Sequence, residues 1–221
     1  MEGTVFGRTN EVFPSKWLRL IAPENATHPG SAEALVQAAL EAKTVIDIST
    51  SPALWGGFMR GTGAPLMILG TADLSRTVSE EHAKDIVQAH LIEALSAIGR
   101  DQIDFYFLRV AGALKEFQIS GALVAMEGAR QDGNVRFNGL AASDLQASLG
   151  VLQFHDAFEA ILVDDGAGAA SIKLLAKSRR LAIVTKTSNL EMQPDCGQAS
   201  LIQVSTPAEI LAAMRQMAAA S

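Results

Sequence analysis

Residues 80–109, EEHAKDIVQAHLIEALSAIGRDQIDFYFLR, contain one complete helix-to-strand unit and indicate the fold class. Apolar residues recur at helical spacing through Glu80–Ile98, including Ile86 and Ala94, which predicts a helix with one packed face. The mainly apolar run Gln102–Arg109 that follows is typical of a strand covered on both faces of a parallel sheet. A helix followed by such a strand is the repeating half of a β-α-β unit.

The same alternation continues in both directions from this unit. Eight segments are predicted as strands: Trp17–Ala22, Thr44–Ile48, Leu66–Leu69, Gln102–Arg109, Val135–Leu140, Phe158–Val163, Leu181–Thr185 and Ala199–Val204. Six are predicted as helices: Ala32–Ala42, Glu80–Ile98, Gly121–Gln131, Leu145–Phe154, Ala169–Arg179 and Pro207–Ala219. Eight strands in this order favour an α/β fold, a compact (β/α)8 TIM barrel formed by residues 1–221 as a single domain, over a doubly wound sheet.

Two connections depart from a regular barrel. Residues 49–64, STSPALWGGFMRGTGA, are rich in Gly and Ser, and residues 187–198, TSNLEMQPDCGQ, contain no convincing helical pattern. We therefore expect the second and seventh crossovers to be reduced to loops. A barrel without two outer helices exposes part of its apolar wall, so a homodimer is also expected.

Composition limits the classes of partner. The 221 residues are 48% hydrophobic and 19% charged, with a net charge of −6 and no basic block, which argues against nucleic acid and membrane surfaces as partners. No apolar run approaches the ~20 residues of a membrane span, and the N-terminus lacks a signal-peptide pattern. Cys196 is the only cysteine, which excludes an intramolecular disulfide. A cytoplasmic protein is the resulting expectation.

Histidine spacing predicts no metal site. The four histidines, His28, His82, His90 and His155, are scattered and none has a metal-ligand spacing. Adjacent Asp164 and Asp165 could bind Mg²⁺, but neighbouring residues on a strand point to opposite faces. His90 lies on the apolar stripe of a predicted helix, where a core or interface role is the commoner one.

Several segments resemble motifs of the aldo-keto reductases, in order along nearly the whole chain. Two are fairly specific: Ile98–Leu108, IGRDQIDFYFL, and Gln131–Leu140, QDGNVRFNGL. Weaker matches are Phe6–Asn10, the segment ALEAKTVID that ends at Asp47, and Leu201–Ile210. The resemblance implies a TIM barrel and NADPH-dependent oxidoreductase ancestry.

The catalytic residues of that family are mostly replaced. Family members use Asp, Tyr, Lys and His at the barrel mouth, and here only Asp47 matches. Trp55 is nearest to the Tyr position, Gly70 stands near the Lys, and Arg109 replaces the His. Because Trp has no usable proton-transfer pKa, the resemblance implies that carbonyl reduction has been lost or altered.

The cofactor contacts implied by the resemblance are also reduced. The family's Ser-Asn pair at the nicotinamide becomes Ala141-Ala142, and the basic residues expected after the eighth strand are absent. Ser205 and Thr206 are the remaining candidates for cofactor binding. NADP is accordingly a candidate cofactor by resemblance alone.

Asp47, Arg109 and Lys186 end three predicted strands, where barrel enzymes place functional groups. Asp47 could act in chemistry or accept hydrogen bonds in the turn that follows it. Arg109 should face the barrel interior and could bind a carboxylate or phosphate, or form an ion pair with Asp47, Asp164 or Asp165. Lys186 could be a Schiff-base or acid–base lysine, or a solvated loop residue, since strand alternation does not determine its direction.

Three hypotheses about function follow from these residues. The first is an oxidoreductase-family barrel with residual or altered nicotinamide-dependent activity. The second is a non-catalytic barrel that binds a small molecule, in particular an anion, or a protein partner. The third is different chemistry carried by Asp47, Arg109 and Lys186. The missing catalytic residues favour the second over the first.

Overall fold

Eight parallel strands close into a barrel in the computed structural model, which describes residues 4–22, 29–189 and 198–215. A short antiparallel hairpin, β1 and β2, precedes them, and β10 pairs with β3 to complete the ring. The strands are β1 (Thr4–Val5), β2 (Val12–Phe13), β3 (Lys16–Leu20), β4 (Ile46–Asp47), β5 (Leu66–Gly70), β6 (Ile103–Val110), β7 (Val135–Ala142), β8 (Ala160–Asp164), β9 (Ala182–Thr187) and β10 (Gln198–Val204). The predicted (β/α)8 barrel is confirmed.

Helices follow the barrel strands on the outside. Within the described residues they are α1 (Pro29–Glu41), α2 (Pro52–Met59), α3 (Glu80–Ile98), α4 (Glu116–Gln131), α5 (Leu145–Phe154), α6 (Ala170–Ser178) and α7 (Pro207–Arg215). The longest, α3, begins at Ser79, whose side chain accepts a hydrogen bond from the backbone N–H of His82. It ends at Gly99, which adopts the left-handed conformation typical of helix C-termini.

The second crossover contains a helix, so the prediction of a loop there was wrong. The eight residues of α2 start with Pro52 and bury Trp55 and Met59 against the barrel. Gly56 packs directly on the backbone of Ala97 in α3, where a Cβ atom would overlap the carbonyl oxygen. The glycine that suggested a loop is therefore a contact between two helices. Of the predicted seventh-crossover loop, Thr187 belongs to β9 and Gln198 to β10, while residues 190–197, with Cys196, lie outside the described residues, as does His28.

Alternating strand residues fill the barrel interior. Those facing inward include Trp17, Val45, Met67, Phe105, Phe107, Ala160, Leu162, Ala182, Val184 and Leu201. The hairpin, which the sequence did not predict, closes the N-terminal end of this interior. Phe6 lies 5.0 Å from Trp17 and Phe13 lies 5.0 Å from Phe105, both between ring centroids. The opposite end, where the strands finish, is the open mouth in which barrel proteins hold their functional groups.

None of the described helices is both long and apolar enough to cross a lipid bilayer.

Candidate functional site at the barrel mouth

Five ionisable side chains occupy inward positions at the carboxyl ends of the strands. Each is two residues beyond an inward apolar residue, such as Val184 on β9 or Phe107 on β6. They are Arg19 on β3, Asp47 on β4, Arg109 on β6, Asp164 on β8 and Lys186 on β9. The three predicted site residues are thus all on the inward face of the barrel, and Arg19 and Asp164 join them there.

Asp47 is fully buried and fixed by several hydrogen bonds. The Nε of Arg19 donates to its Oδ2, and the backbone N–H of Ser49 donates to its Oδ1 at 2.9 Å. The hydroxyl of Ser49 also donates to Oδ1 and accepts the N–H of Leu69 at 2.7 Å. Asp47 therefore stabilises the turn after β4, as one of the two interpretations predicted, and in addition neutralises a buried cation.

Sequence analysis missed Arg19. It lies directly opposite Asp47 in the pairing of β3 with β4. Strand alternation could have identified it, because Arg19 lies two positions after inward-facing Trp17. Its strand also neighbours the strand that ends at Asp47. The Arg19 side chain is only 10% exposed, and its Nη2 atom is buried without a hydrogen-bond partner. A buried, unused guanidinium donor near the mouth is suited to an oxygen atom of a ligand or a water molecule.

Arg109 is exposed at the mouth and carries no carboxylate partner within the described part of the chain. Its Nε donates to the hydroxyl of Ser143 at 3.3 Å. The ion pairs proposed as the alternative do not form, because Asp47 pairs with Arg19 and Asp164 pairs with Lys186. The guanidinium keeps most of its donors available to a ligand.

A groove of about 290 Å³ runs beside Arg109. Its lining is Thr71, Ala72, Asp73, Leu74, Ser75, Arg109, Ala111, Gly112, Ala113 and Leu114. The Asp73 carboxylate accepts hydrogen bonds from the hydroxyl of Ser75 at 2.6 Å and from its N–H at 3.1 Å. These bonds lower the pKa of Asp73, with a smaller contribution from Arg76. The groove thus offers one guanidinium, one ionised carboxylate and two hydroxyls. Asp47 and Lys186 do not line it.

One wall of the groove is held by a chain of hydrogen bonds. The Nε2 of His90 lies 3.1 Å from the hydroxyl of Thr71 and 3.3 Å from its backbone N, which donates to it. The Nδ1 of His90 lies 3.1 Å from the hydroxyl of Tyr106. Burial lowers the pKa of His90, against an opposing effect of Glu93, and burial raises the pKa of Tyr106. His90 is a partly buried residue that holds the end of β5, consistent with a structural role.

Tyr106 is the only tyrosine in the sequence, and it does not reach the mouth. It is fully buried and faces α3 rather than the barrel interior. The family's tyrosine proton donor therefore has no tyrosine counterpart at the mouth. Trp55, suggested for that position, is also fully buried, and its Nε1 donates to the Thr50 hydroxyl at 3.4 Å.

Gly70 faces the outer helices, as Tyr106 does. A Cβ atom at Gly70 would lie 2.5 Å from the hydroxyl oxygen of Tyr106. A side chain at this position could not reach the mouth, so the assignment of the family's lysine position to Gly70 does not fit the geometry. The inward position nearest the end of this strand is Leu69.

The Lys186 side chain faces the mouth, a direction that strand alternation in the sequence did not determine. Its Nζ lies 3.2 Å from the Oδ1 of Asp164, and its side chain is 36% exposed. Asp164 is its direct partner in the pairing of β8 with β9. Lys186 is therefore a half-buried lysine on the barrel wall with a carboxylate beside its amine.

Ser205 and Thr206 already donate to a carboxylate. Glu209 accepts the N–H of Ser205 at 2.6 Å and the N–H of Thr206 at 3.2 Å through the same oxygen. In return its own N–H donates to the Thr206 hydroxyl at 3.3 Å, which completes a capping box at the start of α7. These N–H groups are the ones that a phosphate at this helix terminus would need. The Glu209 carboxylate thus competes with a phosphate for these N–H groups. Cofactor binding by Ser205 and Thr206 stays a prediction.

Within the ranges that the structure describes, no cluster of three or more His, Cys, Asp and Glu side chains is arranged to hold a metal ion.

Comparisons with known proteins agree on the architecture. No family model matches the sequence, and no curated protein does so either. Among solved structures, the chain superposes on the holo form of an aldo-keto reductase from Bacillus halodurans with a TM-score of 0.74 and 13% identity, covering 97% of this chain and 90% of that one. For an aldo-keto reductase from a Medee basin deep-sea metagenome library the TM-score is 0.73 at 14% identity, with 95% and 87% covered.

A third similar structure is a Bombyx mori aldo-keto reductase in complex with NADP, with a TM-score of 0.67, 14% identity, and coverage of 96% of this chain and 86% of that one. The resemblance first indicated by short motifs thus extends to the whole barrel. This chain has the (β/α)8 barrel fold of the aldo-keto reductases.

Proposed function

We propose that this protein binds a small hydroxylated anion at the barrel mouth and does not reduce ordinary aldehydes with NADPH at a typical enzymatic rate. The observation that carries the proposal is the position of Arg109. Its guanidinium is exposed on a 290 Å³ groove, with one neutral partner and no carboxylate partner among the described residues. A permanent, planar cation of this kind favours a carboxylate or phosphate over a neutral carbonyl.

The other groove residues define the ligand class further. Asp73 is ionised and would repel a bare anion, but its oxygens can accept hydrogen bonds from a ligand hydroxyl. The hydroxyls of Thr71 and Ser75 already bond to His90 and Asp73, and their oxygens can still accept a hydrogen bond from a ligand hydroxyl. The groove therefore suits a ligand with an anionic group at one end and a hydroxyl at the other, such as a small hydroxy acid or a sugar phosphate.

Two observations argue against fast carbonyl reduction. General acid catalysis typically contributes ~10²–10⁴-fold, and the sole tyrosine, Tyr106, is buried away from the mouth. The N–H groups of Ser205 and Thr206 are occupied by Glu209, which disfavours a cofactor phosphate at the start of α7. The second candidate function, NADP-dependent reduction, is favoured by the NADP complex of the Bombyx mori structure. Titrating the protein with NADPH and following its fluorescence distinguishes the two.

Calorimetric titration with glycolate and with glycerol 3-phosphate tests the proposal. Arg109→Gln should abolish binding, since its amide cannot replace the charge. Arg130→Gln is the matched control, because Arg130 is an exposed arginine on α4 that pairs with Glu127 and does not line the groove. Asp73→Asn should tighten anion binding by removing a negative charge. Binding that persists unchanged in Arg109→Gln would overturn the proposal, as would the absence of binding to either ligand in the unmodified protein.

A further inference from the structure

We infer that Lys186 is a nucleophilic amine that forms a Schiff base with a small carbonyl compound carrying a carboxylate or phosphate. This inference rests on the proposed anion site for the recognition of the charged group. It assigns chemistry to a second part of the same mouth, the ends of β8 and β9, which the anion site does not use.

The strand register places Lys186 near an unused donor. In a (β/α)8 barrel, the tilt of the strands brings inward residues of alternate strands to one level, four at a time. Following the pairing around the ring puts Arg19, Leu69, Ala141 and Lys186 on one such level. Arg19 has a buried Nη2 without a partner, so it can donate to an oxygen held at this level. Arg109 lies beyond it toward the solvent.

Lys186 has the surroundings that a reactive lysine needs. Its side chain is about one third exposed and is reached from the mouth, because it stands on the inward face of β9. Asp164 lies 3.2 Å from Nζ and is itself mostly exposed, which allows it to exchange protons with solvent.

The chemistry needs no component beyond the carbonyl compound. Asp164 accepts a proton from the Lys186 ammonium, and the free amine attacks the carbonyl carbon to form a carbinolamine. A C–N bond forms while the C=O π bond breaks, and a proton of the attacking amine passes to the oxygen to give the hydroxyl. Asp164 then returns the proton to that hydroxyl, which leaves as water as the C=N bond forms. In the net reaction one ammonium and one carbonyl give one iminium and one water molecule, with no change in oxidation state.

The test is reductive trapping with pyruvate, a small carbonyl compound with a carboxylate, and sodium cyanoborohydride. Peptide mapping by mass spectrometry then locates the adduct. Lys84 on α3 is the matched internal control, because its side chain is 35% exposed and its Nζ lies 3.0 Å from a carboxylate oxygen of Glu81, but it is outside the barrel. We expect at least about tenfold more adduct on Lys186 than on Lys84, since orientation and a neighbouring acid–base group both accelerate the reaction.

Two variants make the result decisive. Lys186→Arg keeps the charge and should remove the dominant adduct, whereas Lys84→Arg should leave it unchanged. Equal labelling of both lysines, or a dominant adduct that persists in Lys186→Arg, would overturn the inference.

The anion site is tested separately by titrating Lys186→Arg with glycerol 3-phosphate, which contains no carbonyl. Binding of that ligand without a Lys186 adduct would refute the Schiff base while leaving the proposed function intact. A selective adduct in a protein that does not bind glycerol 3-phosphate would refute the proposed function while supporting the reactive lysine.

Discussion

Arg19 and Asp47 form a buried ion pair between directly opposed positions of β3 and β4. Asp47 is fully buried and Arg19 nearly so, and the Ser49 N–H and hydroxyl complete the coordination of the carboxylate. Removing one partner of such a pair lowers the free energy of unfolding by more than the intact pair contributes to it. The reason is that the remaining charge stays buried without a counter-charge.

Asp47→Ala should therefore lower the free energy of unfolding by about 3–5 kcal/mol. The double variant Arg19→Met/Asp47→Ala should recover part of this loss, since it leaves no uncompensated charge in the barrel. Urea unfolding followed by circular dichroism measures both values. Glu81→Gln, which removes the carboxylate partner of exposed Lys84, is the control and should leave the midpoint almost unchanged. A double variant no more stable than Asp47→Ala would contradict this account of the ion pair.

Two glycines test the packing of the barrel. Gly139 on β7 faces the interior, and a Cβ atom there would lie 2.8 Å from Cγ of Phe107 and still closer to other ring atoms. Gly139→Ala should therefore destabilise the fold by roughly 1–3 kcal/mol through overpacking. Gly150 on α5 has open space at the corresponding position. Gly150→Ala should be neutral or stabilising by up to about 1 kcal/mol, because alanine is the better helix former. Equal effects of the two substitutions in thermal unfolding would argue against the interior packing.

The parts of this fold that follow from periodicity could be predicted from the sequence. Eight apolar runs gave the strands in order, and strand alternation placed Arg109 at the mouth. The helix α2 was missed because Gly56 and Gly57 resemble a loop, although Gly56 is required by the close approach of Ala97. The hairpin β1–β2 was missed because two-residue strands have no period to detect.

The site was predicted less completely than the fold. Asp47, Arg109 and Lys186 were singled out, but their partners depend on the strand register, which the sequence pattern does not determine. Arg19 lies inside the predicted strand Trp17–Ala22 rather than at its end, because the apolar residues after it extend the run beyond Leu20, where β3 ends. The sequence could have predicted that Tyr106 does not face the mouth. Because Phe105 and Phe107 point inward, strand alternation turns the residue between them toward the helices.

The pH dependence of stability should report on His90. Burial lowers its pKa, so between the folded-state value and the ordinary value of about 6.5 the unfolded chain binds more protons than the folded one. The contribution of His90 to the free energy of unfolding is therefore fully present above about pH 6.5 and is lost as the pH falls through that window. The unmodified protein should lose more stability between about pH 7 and pH 5 than His90→Gln does, measured by urea unfolding at each pH. His82→Gln, an exposed histidine on the same helix, should retain the full dependence. An identical pH profile in His90→Gln would contradict the assignment.

Carbonyl reduction should not depend on Tyr106. Following NADPH oxidation with a simple aldehyde, we expect a turnover far below the common enzymatic range of ~1–10³ per second. Whatever rate remains should be unchanged in Tyr106→Phe, because the hydroxyl lies on the helix side of β6 and bonds to His90. That variant should instead lower the free energy of unfolding by about 0.5–1.5 kcal/mol through the lost hydrogen bond. A turnover within the common range that falls in Tyr106→Phe would show that the tyrosine reaches the substrate.

The Glu209 carboxylate should control whether the start of α7 can accept a phosphate. One of its oxygens accepts hydrogen bonds from the N–H groups of Ser205 and Thr206, and its charge repels a second anion at the same place. Glu209→Ala should therefore bind NADPH more tightly than the unmodified protein, by about tenfold if the released N–H groups contribute ~1–1.5 kcal/mol together. Loss of the capping box should at the same time lower stability by about 0.5–1 kcal/mol. Glu33→Ala on α1 is the control, since this glutamate lies on another helix and should change neither property. If NADPH binds equally to Glu209→Ala and to the unmodified protein, then a cofactor bound by this barrel does not place its phosphate on Ser205 and Thr206.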